Sequence, residues 1–134
     1  MIKIMHVEDD DDIREIAEMA LSLSGEFEVV QCVSGEAALA RAPDYHPDVL
    51  LLDMMMPGMT GSETLEHLRK MPHMANVPAI FMTARAQHAD IEQLRDNGAA
   101  DVISKPFDPM TLGDQIKEIL QAQVGQVCGL RPVA

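Results

Sequence analysis

Apolar residues occur in two alternating arrangements along this chain, as short runs that are mostly apolar and as longer segments with helical spacing. The runs have the length of β-strands, and the unbroken apolar run at residues 49–52 is typical of a parallel strand that is covered on both faces. They occupy residues 2–7, 27–32, 49–52, 77–82 and 100–104. The sequence therefore predicts five strands.

The segments between and after these runs repeat apolar residues at intervals of three and four, which predicts amphipathic helices. These segments are residues 11–23, 34–42, 60–70, 89–97 and 108–123. Thr60 and Glu63 have the spacing of a capping box at the start of the third helix. Asp108 followed by Pro109 is typical of a helix start, with Asp as the N-cap and Pro at the first helical position.

This alternation predicts an α/β fold with a five-stranded parallel sheet and five helices on both of its faces. Right-handed crossovers favour the flavodoxin-like doubly wound order 2-1-3-4-5. In that order the carboxyl ends of the first and third strands lie side by side, where such folds bind ligands. Residues 1–122 are predicted to form this domain. Residues 123–134, which have no clear period, are predicted to be a C-terminal tail or the start of a linker.

The charge balance narrows the classes of partner. The chain has 22 acidic and 10 basic residues, a formal net charge of -12, which disfavours direct nucleic-acid binding and suits cations or a basic protein surface. The two cysteines have no metal-binding spacing, no apolar run reaches membrane-spanning length, and the start lacks a signal-peptide pattern. The sequence favours a cytoplasmic protein without a membrane segment.

Polar residues follow four of the five predicted strands. Glu8 and Asp9 follow the first strand, Asp53 follows the third, Thr83 follows the fourth, and Lys105 follows the fifth. Each residue alone has an ordinary explanation as a helix cap, a turn former or a solvated lysine. Because the carboxyl ends of parallel strands share one edge of the sheet, we expect all of them to lie together.

Closely spaced carboxylates repel one another, and a hard divalent cation with oxygen ligands relieves that repulsion. Mg²⁺ is the expected ion, with Mn²⁺ as an alternative, held by Asp9 and Asp53 with Glu8 acting through water. Asp53 could then attack a phosphoryl group and form an acyl phosphate. Lys105 and the Thr83 hydroxyl could hold the phosphoryl oxygens.

Four motifs, with Gly61 in addition, now carry a family resemblance over residues 2–122. They are Val-Glu-Asp-Asp at 7–10, Leu-Asp-Met-Met-Met-Pro-Gly at 52–58, Met-Thr-Ala at 82–84 and Ser-Lys-Pro-Phe at 104–107. In this order and spacing the chain resembles the CheY-like receiver domain of two-component response regulators. The resemblance implies a phosphoacceptor that takes its phosphoryl group from a sensor histidine kinase or a histidine phosphotransfer protein.

The same resemblance implies roles for individual residues. Asp53 resembles the phosphoacceptor, and Glu8 and Asp9 resemble the acidic metal pair. The main-chain carbonyl of Met55 is implied as a further metal ligand, and its main-chain N–H as part of the phosphoryl cradle.

By the same resemblance, Thr83 and Lys105 are the two residues that sense the phosphoryl group. The main-chain N–H of Ala84 is implied as the second cradle donor. The Lys105–Pro106 peptide bond is expected to be cis.

The chain also departs from the family pattern. Val102 stands where an aromatic residue usually takes part in switching, so we expect the signal to pass through the backbone after Thr83 and the helix from about Gln87. Met55 and Arg85 occupy the positions that tune phosphoryl lifetime. Since Met55 cannot orient water by hydrogen bonding, it predicts slow dephosphorylation.

The sequence disfavours three alternative functions. An aspartate-nucleophile phosphatase of the haloacid dehalogenase type requires a second Asp where Met55 stands. A flavin binder requires a Ser-, Thr- and Gly-rich loop where residues 8–12 are all acidic. A non-phosphorylated interaction module is disfavoured by the intact set of polar residues. The sequence does not specify the downstream protein target. The open side of the helix near residue 114 is suited either to a weak homodimer contact or to exposure to solvent.

A histidine lies inside the first predicted strand rather than at its end. His6 is expected to be an inner residue of the first strand, near the acidic site. No metal-binding spacing links it to the other four histidines.

Overall fold

The computed structural model describes residues 1–84 and 99–130, with side chains described as far as residue 122. Five parallel strands form one sheet in the order β2-β1-β3-β4-β5, as the sequence predicts. The strands are β1 (Ile2–Val7), β2 (Phe27–Cys32), β3 (Val49–Asp53), β4 (Ala79–Thr83) and β5 (Asp101–Ser104).

Four α-helices lie within the described part of the chain. They are α1 (Asp11–Ser22), α2 (Gly35–Arg41), α3 (Gly61–Leu68) and α4 (Leu112–Leu130). The fifth predicted helix, at residues 89–97, lies outside the described residues. Among the helices that are described, none has the length and apolar character needed to cross a membrane.

Side-chain caps fix where the first and third helices begin. The Asp10 carboxylate accepts hydrogen bonds from the backbone N–H groups of Asp12 (2.9 Å) and Ile13 (3.2 Å) at the start of α1. Thr60 and Glu63 form the predicted reciprocal capping box at the start of α3, with both bonds at 3.2 Å. These caps satisfy N–H groups that have no partner within the helix.

The bounds predicted for the last helix were wrong at both ends. Asp108 does act as a cap, but its side chain accepts from the Met110 N–H (2.9 Å) and closes a separate turn, so that α4 begins only at Leu112. The helix then continues to Leu130, beyond the end predicted near Gln123. Loss of the apolar period there does not end the backbone hydrogen bonding of the helix. The domain boundary itself stays a prediction.

The sheet separates two apolar layers, and β3 is buried along its whole length. Packing on both faces explains the unbroken apolar composition of this strand. One layer contains Met5, Val7, Leu50, Leu52 and Phe81 with Leu65 and Leu68 of α3. The other contains Ile4, Leu51, Ile80 and Met82 with Ala17 and Leu21 of α1 and Leu112 and Ile116 of α4. Asp53, the last residue of β3, is thereby carried to the edge of this core.

Candidate functional site

Strand register brings the predicted polar residues to one edge of the sheet. Val7 of β1 lies opposite Leu52 of β3, so the residues that follow them, Glu8 and Asp53, are neighbours. On the other side, Thr83 ends β4 in register with Ser104, the last residue of β5. The sequence-based expectation that these strand ends converge is thus met by the register.

Three carboxylates meet at this edge. Glu8, Asp9 and Asp53 each offer one oxygen, and these oxygens lie within 4.8 Å of one another. The Glu8 side chain is fully buried and Asp53 is 3% exposed, whereas Asp9 faces solvent. The site is therefore a buried carboxylate pair with a third carboxylate at its mouth.

Lys105 bridges the buried pair. Its Nζ donates to Glu8 Oε1 and to Asp53 Oδ1, both at 2.8 Å. The Lys105 N–H donates to the Thr83 carbonyl oxygen at 2.9 Å, and the Lys105–Pro106 peptide bond is cis, as the resemblance implied. The lysine is anchored to the end of β4 while its ammonium group lies between the two acids.

The charges of the site shift its proton affinities. Burial raises the pKa of Glu8 to about 7, and its hydrogen bond with Asp53 adds to this shift. Burial alone would lower the pKa of Lys105, but its hydrogen bonds to Asp53 and Glu8 outweigh burial and raise it. One ammonium group therefore does not fully compensate the negative charge at this edge.

Oxygen donors and surplus negative charge are what a hard divalent cation requires. The three carboxylates supply such donors and carry more negative charge than the single Lys105 ammonium group can neutralise. These residues therefore fit Mg²⁺.

Of the remaining predicted residues, the structure describes Met55, Thr83, Ala84 and Val102. The Met55 N–H donates to Asp53 Oδ1 at 3.4 Å, and the Met55 side chain is 67% exposed. Thr83 is buried at the end of β4, and Ala84 follows it at the surface. Val102 is half-buried and packs against the layer beside α3. Arg85 and the helix predicted from Gln87 lie outside the described residues.

The loop after Asp53 is held close to the strand by a glycine. A Cβ on Gly61 would lie 2.4 Å from the Asp53 carbonyl oxygen, and the Gly61 N–H donates to the Met54 carbonyl oxygen at 3.1 Å. Gly58 supplies a left-handed backbone conformation (φ 81°) in the same loop. The Pro-Gly-x-x-Gly spacing seen in the sequence is thus a steric requirement of the site.

Sequence reasoning missed one contact of the acidic loop. Arg14 Nη1 donates to the Glu8 carbonyl oxygen at 2.8 Å, from the first turns of α1. No sequence motif predicts this contact. Arg14 lies four residues after the cap Asp10, about one helical turn from the acidic loop that it contacts. His6 was expected near the site and is fully buried in β1. Its burial, with the positive charge of Lys105 as a lesser cause, lowers its pKa to about 4.

Several known proteins are similar to this chain in sequence. The chain is 33% identical over 119 residues to the phosphate regulon transcriptional regulatory protein PhoB of Escherichia coli K12, covering 89% of this chain and 52% of PhoB. It is 38% identical over 122 residues to the regulatory protein AtoC of the same organism, covering 90% of this chain and 26% of AtoC. The chain thus spans about half or less of the length of these relatives.

Several solved structures are similar to this chain in fold. The chemotaxis protein CheY4 of Vibrio cholerae superposes with a TM-score of 0.82 at 28% identity, covering 89% of this chain and 98% of CheY4. A CheY-like receiver domain protein of Methanospirillum hungatei gives 0.80 at 28% identity, covering 94% and 98%. The sequence model of the response regulator receiver domain matches residues 4–117. The chain therefore belongs to the response regulator receiver family of two-component systems, whose general role is that of a phosphoacceptor.

Proposed function

We propose that Asp53 is the phosphoacceptor of this receiver and takes its phosphoryl group from a phosphohistidine of a sensor histidine kinase or a histidine phosphotransfer protein. The observation that carries the proposal is the position of Asp53, nearly buried at the end of β3 and bonded to Lys105 beside Glu8. A carboxylate used only as a turn former would not need two further charged partners in a buried setting.

Phosphoryl transfer forms an O–P bond at Asp53 and breaks the P–N bond of the donor histidine, whose ring nitrogen keeps the bonding electron pair. Asp53 Oδ1 accepts hydrogen bonds from Lys105 Nζ and the Met55 N–H. Attack through Oδ2 leaves both of these bonds in place. The nucleophile is therefore oriented before the donor arrives, which lowers the entropic part of the barrier.

The metal ligands of the proposal are Glu8, Asp9 and Asp53 with the Met55 carbonyl oxygen. When bound, Mg²⁺ (or Mn²⁺) supplies charge neutralisation at the carboxylates and at the phosphoryl oxygens. Lys105 contributes a second positive charge to the site, because its ammonium group already lies 2.8 Å from Asp53 Oδ1.

Phosphorylation removes the negative charge of the Asp53 carboxylate that Lys105 contacts. It adds negatively charged phosphoryl oxygens next to the same side chain. We infer that Lys105 then binds a phosphoryl oxygen, while the Thr83 hydroxyl and the N–H groups of Met55 and Ala84 bind the others. In this way the domain catalyses its own phosphorylation, and Thr83 couples the phosphoryl group to β4.

The output surface lies along β4 and β5 in this proposal. Val102, in register with Phe81, has no ring that can change rotamer, so the signal passes from Thr83 through the backbone that follows it. The whole protein acts in the cytoplasm, either as a stand-alone regulator or as the receiver of a longer regulator or hybrid kinase. Its output partner binds the face that Thr83 rearranges.

Phosphodonor labelling tests this function. The wild-type chain, treated with acetyl phosphate and Mg²⁺, is expected to gain one phosphoryl group by intact mass, whereas Asp53→Asn gains none. Asp44→Asn, an exposed change of the same chemistry away from the site, serves as the matched control and should label like the wild type. Labelling that persists in Asp53→Asn would overturn the assignment.

A further inference from the structure

A histidine is fully buried in β1, directly below the acidic site. His6 lies two residues before Glu8 and is flanked in register by Gln31 of β2 and Leu51 of β3. An apolar residue would satisfy the packing of this strand without any hydrogen bond. A buried imidazole, in contrast, is normally stabilised by hydrogen bonds.

Gln31 connects His6 to α1. Gln31 Nε2 lies 2.8 Å from the Arg14 carbonyl oxygen, and since a carbonyl only accepts, this atom is the amide donor. The same atom lies 3.2 Å from His6 Nδ1, so Nδ1 accepts and the ring hydrogen is on Nε2. Within the described part of the chain, Nε2 is buried and has no hydrogen-bond partner. The hydrogen bonding of this histidine is thus directed to one place, the side chain of Gln31.

Arg14 closes the connection back to the acidic loop. Its Nη1 donates to the Glu8 carbonyl oxygen at 2.8 Å, and its Nη2 forms an ion pair with Asp11. A continuous path therefore runs from His6 in β1 through Gln31 in β2 and Arg14 in α1 to the backbone of Glu8. This path begins and ends on two residues of one chain segment and spans β2 and α1 between them.

The backbone of Glu8 determines where the carboxylates point. Its N–H donates to the Cys32 carbonyl oxygen at 3.0 Å, and its side chain contacts Lys105 and the Asp10 N–H. A shift of the Glu8 carbonyl would therefore move a ligand that lies within 4.8 Å of Asp53. Small displacements of this kind weaken binding of a cation that demands defined geometry, such as Mg²⁺.

We propose that His6, Gln31 and Arg14 form a positioning relay that sets the divalent-cation affinity of the Glu8, Asp9 and Asp53 carboxylates. The relay rests on the proposed function, because cation binding is part of that function. None of its three side chains is assigned as a metal ligand. They act by fixing the backbone from which Glu8 and Asp9 project.

Two substitutions of His6 separate the relay from simple packing. Asn at position 6 places its amide oxygen near the location of Nδ1 and can still accept from Gln31. Gln at position 6 reaches beyond that location and cannot. We expect His6→Gln to bind Mg²⁺ about tenfold more weakly than the wild type, the scale seen when outer partners of metal ligands are removed. His6→Asn should stay within about twofold.

Arg14 provides a second test from a different element, and its side chain is only partly buried. Arg14→Met retains a good helix former but removes the donor to Glu8, and should weaken Mg²⁺ binding by a similar factor. Arg41→Met on α2 removes the same charge outside the relay and is the matched control. Affinities are measured by amide chemical-shift titration with Mg²⁺, and the free energy of unfolding is measured separately in chelator.

The outcomes separate the relay from the proposed function. Weaker Mg²⁺ binding by His6→Gln and Arg14→Met, with His6→Asn and Arg41→Met near the wild type, supports the relay. Equal affinities in all variants, with changes only in unfolding free energy, overturn the relay and leave the metal site intact. A wild-type chain that does not bind Mg²⁺ overturns the metal site itself and the relay with it.

Discussion

The ammonium group of Lys105 lies 2.8 Å from Asp53 Oδ1 and the same distance from Glu8 Oε1, so one cation holds two buried carboxylates together. Glu8 is fully buried, Asp53 is 3% exposed, and the Lys105 side chain is 16% exposed. In the absence of a metal ion, this contact is the main compensation of negative charge at the site. It makes the stability of the domain and its chemistry depend on the same side chain.

Lys105→Met should therefore destabilise the metal-free domain in a pH-dependent way. At about pH 8 Glu8 has lost its proton, and we expect a loss of about 3 kcal/mol, since one partner of a buried ion pair is removed. At about pH 6 the loss should be smaller, because Glu8 then carries a proton. Urea denaturation in chelator measures both values. Lys117→Met, which removes an exposed ion pair with Glu26, is the control and should change little.

Mg²⁺ affinity should fall as the pH is lowered through about 7. The pKa of Glu8 is raised to about 7, so below this value a cation must displace a proton, and the affinity drops by up to about tenfold per pH unit. Calorimetry in buffers of different ionisation enthalpy reports the released proton. Glu8→Gln should abolish the pH dependence. An affinity that stays constant between about pH 6 and about pH 8 would contradict the assigned protonation of Glu8.

The same raised pKa has an opposite effect on the stability of the metal-free fold. Between the ordinary glutamate value of 4.5 and about 7 the native state binds more protons at Glu8 than the unfolded state does. The contribution of Glu8 therefore makes the free energy of unfolding decrease as the pH rises through this window. The difference between wild type and Glu8→Gln in urea denaturation across the window isolates this contribution, and a difference that does not vary with pH would refute it.

Met55 should set the lifetime of the phosphorylated state. Its side chain is exposed at the site and offers no hydrogen bond to an attacking water. Met55→Asn, which can orient that water, should increase the rate of phosphoryl loss by about tenfold. This factor is smaller than that of a general base, because Asn orients the water but does not take its proton. Met55→Leu keeps the apolar bulk and should match the wild type. Equal decay rates for Asn and Met at this position, followed by intact mass after removal of the phosphodonor, would exclude shielding by Met55.

Gly61→Ala should distort the site as well as destabilise the fold. The added Cβ would lie 2.4 Å from the Asp53 carbonyl oxygen, so the backbone beside the phosphoacceptor must move, at a cost of about 1–3 kcal/mol. Gly113→Ala in α4 is the comparison, because its Cβ would lie 3.1 Å from the Phe27 side chain rather than against backbone, and should leave labelling of Asp53 unchanged. Denaturation gives the cost, and phosphodonor labelling shows whether Asp53 still reacts. A neutral Gly61→Ala would refute the close approach.

Much of this architecture could be predicted because the information is local. Unbroken apolar runs identify the buried strands, and polar residues directly after Val7 and Leu52 reach one edge once the two strands are neighbours. The capping box at Thr60 also depends on residues three apart. Local patterns failed at both ends of the last helix. The Asp108 cap can serve either a helix or a single turn, and the helix continues beyond the point where its apolar period is lost.

Contacts between distant segments could not be predicted in the same way. Gln31 and Arg14 are 17 residues apart, and their hydrogen bond exists only after α1 has packed beside β2. Neither residue is itself an apolar position of its predicted element or part of a motif. The sequence signalled the contact only through His6, since a polar residue inside a buried strand requires partners that the sequence alone does not name.

The central claim is that the Asp53 carboxylate becomes an acyl phosphate, and chemical trapping at that residue tests it most directly. Borohydride reduces an acyl phosphate to an alcohol, so treatment of the phosphorylated chain should convert Asp53 into homoserine. Peptide mass spectrometry after proteolysis then locates the change. We predict homoserine at position 53, only after incubation with phosphodonor and Mg²⁺. Homoserine at another aspartate, or phosphorylated chain without any homoserine at position 53, would contradict the account.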